Sequence, residues 1–359
     1  MNSEKRVTIK DVARESGYSI ATIHCALNGK PGVGDAARQQ ILDTAKRMEY
    51  EPNKVAASLN RKTYRVIAAF PEPVNGNQYY YNSVWKGVRE CMDAMRDFKI
   101  ELQELPYDEE SAEELTGLID SYEADGLLTS GYMDLKKRIS VKHFTDKGIP
   151  VALIGDDRPD TGRLCCVQPN YEVIGRTLAE LLMPRVGEDQ AFLIMAGDSM
   201  QPSHYQIVEG FENYLREKGS VRHIYKIQNR ENETEERYER LLRFLKNEKD
   251  IGGCFSVYAR GSVLLGQALE ESGRAGTLAA VGSDLFQENI DFLKRGVFTN
   301  LSIKNPYAQT YLAAKVLVEY LLKGTKPASD LINVGSEIVF QSSIPIFEKS
   351  WDSAINLFM

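Results

Sequence analysis

The sequence predicts an α/β protein with a small, all-α N-terminal head and two lobes, each built on a doubly wound parallel sheet. A chain of 359 residues exceeds what one hydrophobic core usually holds, so two or three domains are expected. From Tyr64 onward, short apolar runs alternate with amphipathic helical stretches, and the alternation restarts after Cys165. This alternation indicates parallel sheets with right-handed crossovers, and its repetition indicates two lobes.

Charge separates the head from the rest of the chain. Residues 1–62 contain 11 Lys and Arg against 7 Asp and Glu, a net charge of +4. The remainder contains 33 against 44, a net charge of −11, which gives −7 for the whole chain. A basic head on an acidic body predicts a polyanionic partner at the head alone.

Composition and motifs disfavour several other classes of protein. The five cysteines, two of them adjacent, form no disulfide framework, and no CxxC or paired-His spacing predicts a metal site. The N-terminal "MNSEKRVTIK" lacks the apolar segment of a signal peptide. No apolar run approaches the ~18 residues of a membrane span. A cytoplasmic location, away from the membrane, is therefore predicted.

Capping residues and glycines in the head predict three helices. Thr8 and the carboxylate three residues later form a potential capping box for "IKDVARES", which Gly17 ends. Ser19 can cap a second helix, "IATIHCALN", and Gly34 precedes a third, "AARQQILDTAKRM". Two short helices joined by a tight glycine-containing turn are typical of a helix-turn-helix, although short helical trios also occur elsewhere.

The stretch that follows, "EYEPNKVAASLNRKT" at 49–63, makes this pattern specific. Pro52 ends the third helix, and Asn53 can cap a fourth, "KVAASLN". With "TIKDVARESGYS", "ALNG" and "AASL", the chain resembles the lactose-repressor (LacI/GalR) family of bacterial transcription regulators, without gaps over about 55 residues. The resemblance implies a headpiece, 1–51, in the major groove of double-stranded operator DNA and a hinge helix, 52–63, that orders on DNA.

The resemblance also assigns DNA contacts residue by residue. The family's hinge leucine, here Leu59, wedges between base pairs in the minor groove, and small residues such as Ala56 let paired hinge helices approach closely. The alternative for Leu59 is a core contact of a linker helix. The full set of implied DNA-binding residues is Thr8, Lys10, Ser19, Ile20, Ala21, Thr22, His24, Cys25, Asn28, Arg38, Tyr50, Asn53, Lys54, Ala56 and Leu59.

The expected recognition helix has unusual side chains for a DNA reader. The first two positions, which read base edges in the family, are Ile20 and Ala21, and Cys25 stands where a basic residue is usual. The bidentate contacts that Arg, Asn and Gln make with guanine and adenine are therefore absent. Specificity is expected to rest on thymine methyls, the hinge and DNA deformability, which predicts an unusual operator rather than lost binding.

The body contains no nucleotide or catalytic motif. It lacks GxGxxG and GxxxxGK[ST], and the four histidines of the chain form no triad with a serine in a GxSxG elbow. An enzyme is therefore disfavoured, and no cofactor is predicted.

Residues 64–345 resemble the ligand-binding core shared by these regulators and by periplasmic sugar-binding proteins. The matching segments are "ADGLLTSG", "GIPVALIGDD", "NYEVIG", "EGFENYL", "AVGSDL" and "NPYAQTYLAAKVL". The resemblance implies a small-molecule effector between the lobes, a homodimer through both lobes, and lobe crossings near 166–169, 296–300 and 328–332. The tail, 346–359, is too short for a tetramer-forming coiled coil.

Candidate effector contacts come from loops after strands. The segment "GNQYYYNSVW" supplies Tyr rings that suit a sugar-like ligand, or else a buried helix start. Asp284 in "GSD" matches the family's aspartate for ligand hydroxyls, and its alternative role is a helix N-cap. The implied effector-binding residues are Tyr79, Tyr80, Tyr81, Asn82, Ser83, Asn170, Tyr258 and Asp284.

Three polar anchors of the family are replaced in this chain. Ile207 stands at the arginine position of "EGF", Tyr258-Ala259 replaces an Asn-Asp pair, and Pro169 replaces an aspartate. An aromatic, less charged cleft fits a larger or more apolar ligand than a monosaccharide, or a role through proteins alone.

The sequence thus favours a dimeric, effector-responsive transcription regulator, in which the effector changes the angle between the lobes and so the hinge helices. Repression is favoured, and activation stays open as the alternative. The alternative is a cytoplasmic solute-binding protein with a degenerate DNA-binding head. The basic head and the intact "AASLNRK" hinge disfavour that alternative.

Overall fold

The computed structural model describes residues 7–27, 31–48, 50, 63–108, 114–228 and 234–351. The chain divides into a small unit, Met1–Thr63 together with Arg96–Lys99, and a large unit, Tyr64–Met95 together with Ile100–Met359. Residues 51–62, which include all of the predicted hinge 52–63 except Thr63, lie outside the described residues, and so do the predicted DNA contacts Asn28, Asn53, Lys54, Ala56 and Leu59.

The N-terminal unit has the three helices that the sequence predicts. They are α1 Ile9–Ser16, α2 Ile20–Leu27 and α3 Asp35–Arg47. Val12, Ile23 and Ile41, one from each helix, are fully buried and form its core with two alanines. Gly17 ends α1 with φ of 76°, a left-handed conformation that costs glycine little.

The large unit contains two six-stranded sheets, as predicted. The strands of the first are β1 Tyr64–Pro71, β2 Ile100–Tyr107, β3 Gly126–Ser130, β4 Val151–Ile154, β5 Cys165–Pro169 and β11 Leu331–Val334. Those of the second are β6 Ala191–Gly197, β7 Ile224–Gln228, β8 Ile251–Ser256, β9 Ala279–Ser283, β10 Asn300–Ile303 and β12 Glu337–Phe340. We call the parts of the chain built on them the first and the second lobe.

Both sheets have the doubly wound strand order. The first runs β11-β5-β4-β3-β1-β2 and is parallel throughout. The second runs β12-β10-β9-β8-β6-β7, with β12 antiparallel to β10. Strands β3, β4, β6, β8 and β10 are buried along their whole length, which explains their continuous apolar sequences.

Helices cover the sheets of both lobes. The first lobe contains α4 Gln78–Ala94, α5 Thr116–Asp120, α6 Gly131–Leu135, α7 Val141–Asp146 and α13 Pro306–Lys323. The second contains α8 Tyr171–Leu182, α9 Pro202–Glu217, α10 Thr234–Asn247, α11 Ala259–Glu271, α12 Gln287–Lys294 and α14 Ile344–Trp351. Among the described residues, no helix combines the length and apolarity needed to span a bilayer.

The chain passes between the lobes three times. It leaves β5 for α8 at Asn170, leaves β10 for α13 at Lys304-Asn305, and leaves β11 for β12 at residues 335–336. The predicted crossings at 296–300 and 328–332 are therefore wrong. In both cases a further strand, β10 or β11, is completed in its own sheet before the chain crosses. The first crossing directly follows the predicted range 166–169.

Candidate functional site

Helix α2 begins on a side-chain cap. The Thr22 N–H donates to Ser19 Oγ at 3.1 Å, and the two hydroxyl oxygens lie 2.8 Å apart. This confirms the predicted cap. Arg38 donates to the Ala26 carbonyl oxygen at 3.0 Å and so satisfies the opposite end of α2, where the helix dipole favours a positive charge.

The exposed face of α2 is apolar at its first turn. Ile23 and Ala26 are buried in the head core, whereas Ile20 is 45% exposed. Ala21 and His24 are also exposed, and Cys25 is half-buried. The positions assigned to base reading are thus on the surface of the head.

The start of α1 is also held by hydrogen bonds between residues that are close in the sequence. The Thr8 N–H donates to Asp11 Oδ2 at 3.0 Å, and the Thr8 hydroxyl donates to the same oxygen at 2.7 Å. Lys10 is exposed on the first turn. Tyr50 packs against the head core and donates its N–H to the Ala45 carbonyl at 2.9 Å. DNA contacts by these residues remain predictions.

In the large unit, buried polar groups lie after the carboxyl ends of strands in both lobes, where ligands of such sheets bind. Asp156 follows β4 and is 2% exposed. Its Oδ1 accepts the N–H of Ser203 at 2.7 Å, and its Oδ2 accepts Gln201 Nε2 at 3.1 Å. Burial raises the pKa of Asp156, although the Ser203 hydrogen bonds offset part of that rise. The carboxylate therefore joins the first lobe to the start of α9.

A second polar bridge joins α6 to the loop after β6. The Tyr132 hydroxyl donates to Asp198 Oδ2 at 2.5 Å, and Lys136 Nζ lies 3.4 Å from the same oxygen. Burial raises the pKa of Asp198, but these partners outweigh it and the net pKa is lowered. The two bridges hold the lobes together through their own side chains.

His204 lies beside this bridge as a neutral imidazole. Its Nδ1 accepts the N–H of Asp198 at 3.1 Å, and its ring centroid is 5.5 Å from that of Tyr258. Burial, and then the charge of Lys304, lower the pKa of His204 to about 3. An Nδ1 that accepts a hydrogen bond must be unprotonated, which agrees with this shift.

Asp284 is paired with a buried lysine. Lys304 Nζ lies 2.6 Å from Asp284 Oδ2, 2.5 Å from Ser283 Oγ and 3.1 Å from the Val257 carbonyl oxygen. The three ammonium donors thus have three acceptors. The Lys304 N–H also donates to Asp284 Oδ1 at 3.2 Å. Any ligand hydroxyl on this carboxylate must share it with Lys304.

The alternative role of Asp284 as a helix N-cap is wrong. Helix α12 begins at Gln287, and its N-cap is Phe286. Asp284 instead has φ of 68°, and Asn305 at the second crossing has φ of 53°. Both are in the left-handed region, which Asp and Asn tolerate better than most residues and which concentrates at functional sites.

The tyrosines predicted to lie in a loop lie in a helix. Helix α4 already begins at Gln78 and includes them, as the alternative of a helix start allowed. Tyr79 and Tyr80 pack across the cleft against an apolar cluster of the second lobe, and the Tyr79 ring centroid is 4.7 Å from that of Phe286. Tyr81 packs against the core of the first lobe, and Asn82 is exposed.

The remaining predicted effector residues occupy separate places. Asn170 is exposed and caps α8 by accepting the Val173 N–H at 3.0 Å. Ser83 is half-buried in the second turn of α4. Tyr258 is half-buried at the start of α11, with its ring on His204. The structure therefore brings Tyr79, Tyr80, Tyr258 and Asp284 to the facing sides of the lobes.

Sequence reasoning missed four buried or half-buried residues of the cleft: the charged Asp156, Asp198 and Lys304, and the neutral His204. Two of them, Asp198 and Lys304, directly follow the last residue of a strand, and Asp156 follows by two residues. Inspecting the first residues after every strand would have found these three. Tyr171, buried with its hydroxyl 3.3 Å from the Gly155 carbonyl oxygen, was missed as well.

Two buried polar atoms at and just after the second crossing have no hydrogen-bond partner among the described residues. Among the described residues, Asn305 Nδ2 and Gln309 Oε1 make no hydrogen bond, although these residues are 5% and 0% exposed. Unsatisfied buried groups are costly, so they point to a ligand or water. Among all the residues that the structure describes, no three His, Cys, Asp or Glu side chains are placed to hold a metal ion.

Two family models match this chain. A periplasmic binding protein domain matches residues 69–326, and the lacI family of bacterial regulatory proteins matches residues 8–53.

Similar proteins agree with this division. Catabolite control protein A of Streptococcus mutans is 30% identical over 43% of this chain and 45% of its own length. The transcriptional regulator DegA of Bacillus subtilis is 24% identical over 60% of this chain and 62% of its own length. The matched stretches thus span about half to two thirds of these relatives. An ABC-transporter solute-binding protein from Burkholderia graminis, crystallised with D-arabinose, covers 79% of this chain and 98% of its own at 19% identity and a TM-score of 0.69.

Proposed function

The chain belongs to the lacI family of bacterial regulatory proteins, with a periplasmic binding protein domain as its core, and we propose that it is a transcription regulator, a repressor, controlled by a small molecule between its lobes. The main observation in support is that one chain combines a capped, surface-exposed α2 with a cleft lined by buried polar groups. The named relatives, a catabolite control protein and a regulator, support a role in gene control.

We propose that the effector is uncharged and rich in hydroxyl groups. The cleft offers tyrosine rings at Tyr79, Tyr80 and Tyr258, which suit stacking on a sugar face. Asn305 Nδ2 and Gln309 Oε1, which make no hydrogen bond within the described part of the chain, suit hydroxyl groups. The D-arabinose complex of a protein with the same fold supports this class of ligand. The role is binding without catalysis.

The effector would act on the balance between lobe arrangements. The lobes are joined without it by Asp156 to Ser203 and by Tyr132 to Asp198. A ligand that binds between them shifts this balance only through its different affinity for the two arrangements. Strand β1 of the first lobe follows the hinge segment directly in the sequence. A movement of the first lobe would therefore be transmitted to the hinge through the backbone.

We further propose that the protein is cytoplasmic and acts as a homodimer on an operator with two half-sites. Two-fold protein symmetry is matched by palindromic DNA in regulators of this kind. Light scattering of the free chain, and the symmetry of the DNA that it selects, test this assembly.

The test of the function is selection of bound sequences from a random DNA pool with the full chain, repeated with a panel of sugars. We expect one enriched operator whose recovery changes with a particular sugar. Ile20→Asp, which places a carboxylate at the tip of α2, should abolish recovery because it repels the DNA. Leu118→Asp is the matched control, since Leu118 is 46% exposed on α5 of the first lobe. Sugar binding without any enriched DNA would favour the solute-binding alternative.

A further inference from the structure

The tip of α2 offers DNA an apolar surface. Its sequence "IATIHCAL" contains no amide, ammonium or guanidinium side chain. Ile20 is 45% exposed and Ala21 is exposed beside it, while Ile23 and Ala26 face the head core. The first turn therefore presents methyl and methylene groups outward.

Neighbouring polar side chains make hydrogen bonds within the head. The hydroxyl oxygens of Thr22 and Ser19 lie 2.8 Å apart, and Ser19 also holds the start of the helix. Arg38 donates to the carbonyls of Cys25 and Ala26 at the far end of α2.

We propose that Ile20 and Ala21 read C5-methyl groups of pyrimidines in the major groove, a specificity that rests on the proposed DNA-binding function. In a helix-turn-helix, the N-terminal residues of the recognition helix meet the base edges. The C5-methyl of thymine is the apolar feature on that edge, and small aliphatic side chains pack on it. Each half-site would therefore have thymine opposite the tip of α2. 5-Methylcytosine has the same methyl group and is the second source of this chemistry.

Replacement of thymine by deoxyuridine tests directly whether the protein contacts the C5-methyl group. In the selected operator, thymines are replaced one at a time, which removes the methyl and keeps base pairing. At one or two positions per half-site we expect binding to weaken about fourfold for each contacted methyl. The remaining positions should not respond. Uniform tolerance of deoxyuridine with intact operator binding overturns the methyl reading and leaves the regulator function standing.

Exchange of the base pair separates the two methyl sources. At a sensitive position, T·A is replaced by C·G with or without a C5-methyl on the cytosine. Recovery of affinity by the methylated pair shows that the methyl itself is read. Equal weak binding of the methylated and unmethylated pairs shows that the methyl is not what the protein reads at that position and overturns the proposal.

Variants of α2 identify the residue responsible. Ile20→Ala should abolish the deoxyuridine effect at the position that Ile20 contacts and leave any contact of Ala21. Ile20→Val should retain most of the effect because a branched side chain remains. Leu42→Ala, an exposed apolar position on α3, should leave the effect unchanged. A deoxyuridine effect that persists undiminished at every responding position in Ile20→Ala overturns the assignment to Ile20. No enriched DNA at all overturns the regulator function and the methyl reading with it.

Discussion

The helix starts of the head and the polar bridges of the cleft are shaped by hydrogen bonds of very different sequence range. In the head, Thr8 bonds Asp11 and Ser19 bonds Thr22, three positions apart in each case. In the cleft, Lys304 bonds Asp284 across 20 positions, Ser203 bonds Asp156 across 47, and Tyr132 bonds Asp198 across 66. The starts of α1 and α2 are therefore set locally, whereas the cleft depends on the fold being complete.

The two regions also differ in what a broken bond costs. A surface helix cap contributes about 1 kcal/mol to stability, because water replaces it in part when it is lost. Breaking a buried ion pair costs about 3–5 kcal/mol, because a charge is left desolvated without its partner. Four predictions follow this difference, from the largest expected effect to the smallest.

Lys304→Met is expected to lower the free energy of unfolding by about 3–5 kcal/mol. The variant keeps the length of the side chain but leaves Asp284 as an uncompensated charge that is 2% exposed. Chemical denaturation at neutral pH measures the effect. Lys326→Met, an exposed lysine between α13 and β11, should change it by less than about 0.5 kcal/mol.

Adding Asp284→Asn to Lys304→Met should recover part of the loss, since the stranded charge is then removed. Additive losses in the double variant would show that the two side chains act separately, which contradicts their pairing.

His204→Gln is expected to reduce the acid sensitivity of the fold. The folded-state pKa of His204, about 3, is below its ordinary value of 6.5. The unfolded state therefore binds the proton first, and stability is lost as the pH falls from 6.5 towards 3. We expect this loss to be roughly 2–4 kcal/mol. Unfolding free energies of both proteins at several pH values between 7 and 4 give the comparison.

In His204→Gln the glutamine oxygen can still accept the Asp198 N–H, so the cost at pH 7 should be small and the gap between the proteins should close or reverse in acid. His223→Gln, at an exposed position just before β7, serves as the control. Parallel pH profiles for wild type and His204→Gln would show that His204 is not held neutral.

Tyr132→Phe is expected to cost about 1.5–2 kcal/mol, the lower part of the range for a hydrogen bond to a charged group. Asp198 keeps 25% of its side chain exposed, and Lys136 stays near it, so the carboxylate is not left wholly without a partner. Thermal denaturation without ligand measures the loss. Tyr205→Phe, 45% exposed on α9, should be neutral.

If Tyr132 bridges the lobes, its loss should also alter effector affinity, because the balance between lobe arrangements changes. Lower stability with unchanged affinity for the sugar identified by selection would limit Tyr132 to a structural role.

The same contrast explains what the sequence predicted. The three head helices follow from Thr8, Ser19 and Gly34, which act on their own neighbours, and buried strands such as β3 follow from continuous apolar runs. The pairing of Asp284 with Lys304 has no local signal, because β9 and β10 must first lie side by side. For the same reason Asp284 was open to interpretation as a helix cap, and the lobe crossings were placed several residues early.

Ser19→Ala, the smallest effect, tests the local side of the comparison. The substitution removes the oxygen that accepts the Thr22 N–H and should destabilise α2 by about 1 kcal/mol. Amide hydrogen exchange in the full-length chain resolves it, since protection should fall in α2 and the helices that pack on it while β6 and β8 stay unchanged. Ser19→Asp should preserve protection, because aspartate caps helices as well as serine does. A loss in Ser19→Ala as large as that of Lys304→Met, or one that extends into the second lobe, would contradict the local organisation of the head. A loss confined to the head would instead show that the helix presenting Ile20 can be altered without disturbing the cleft.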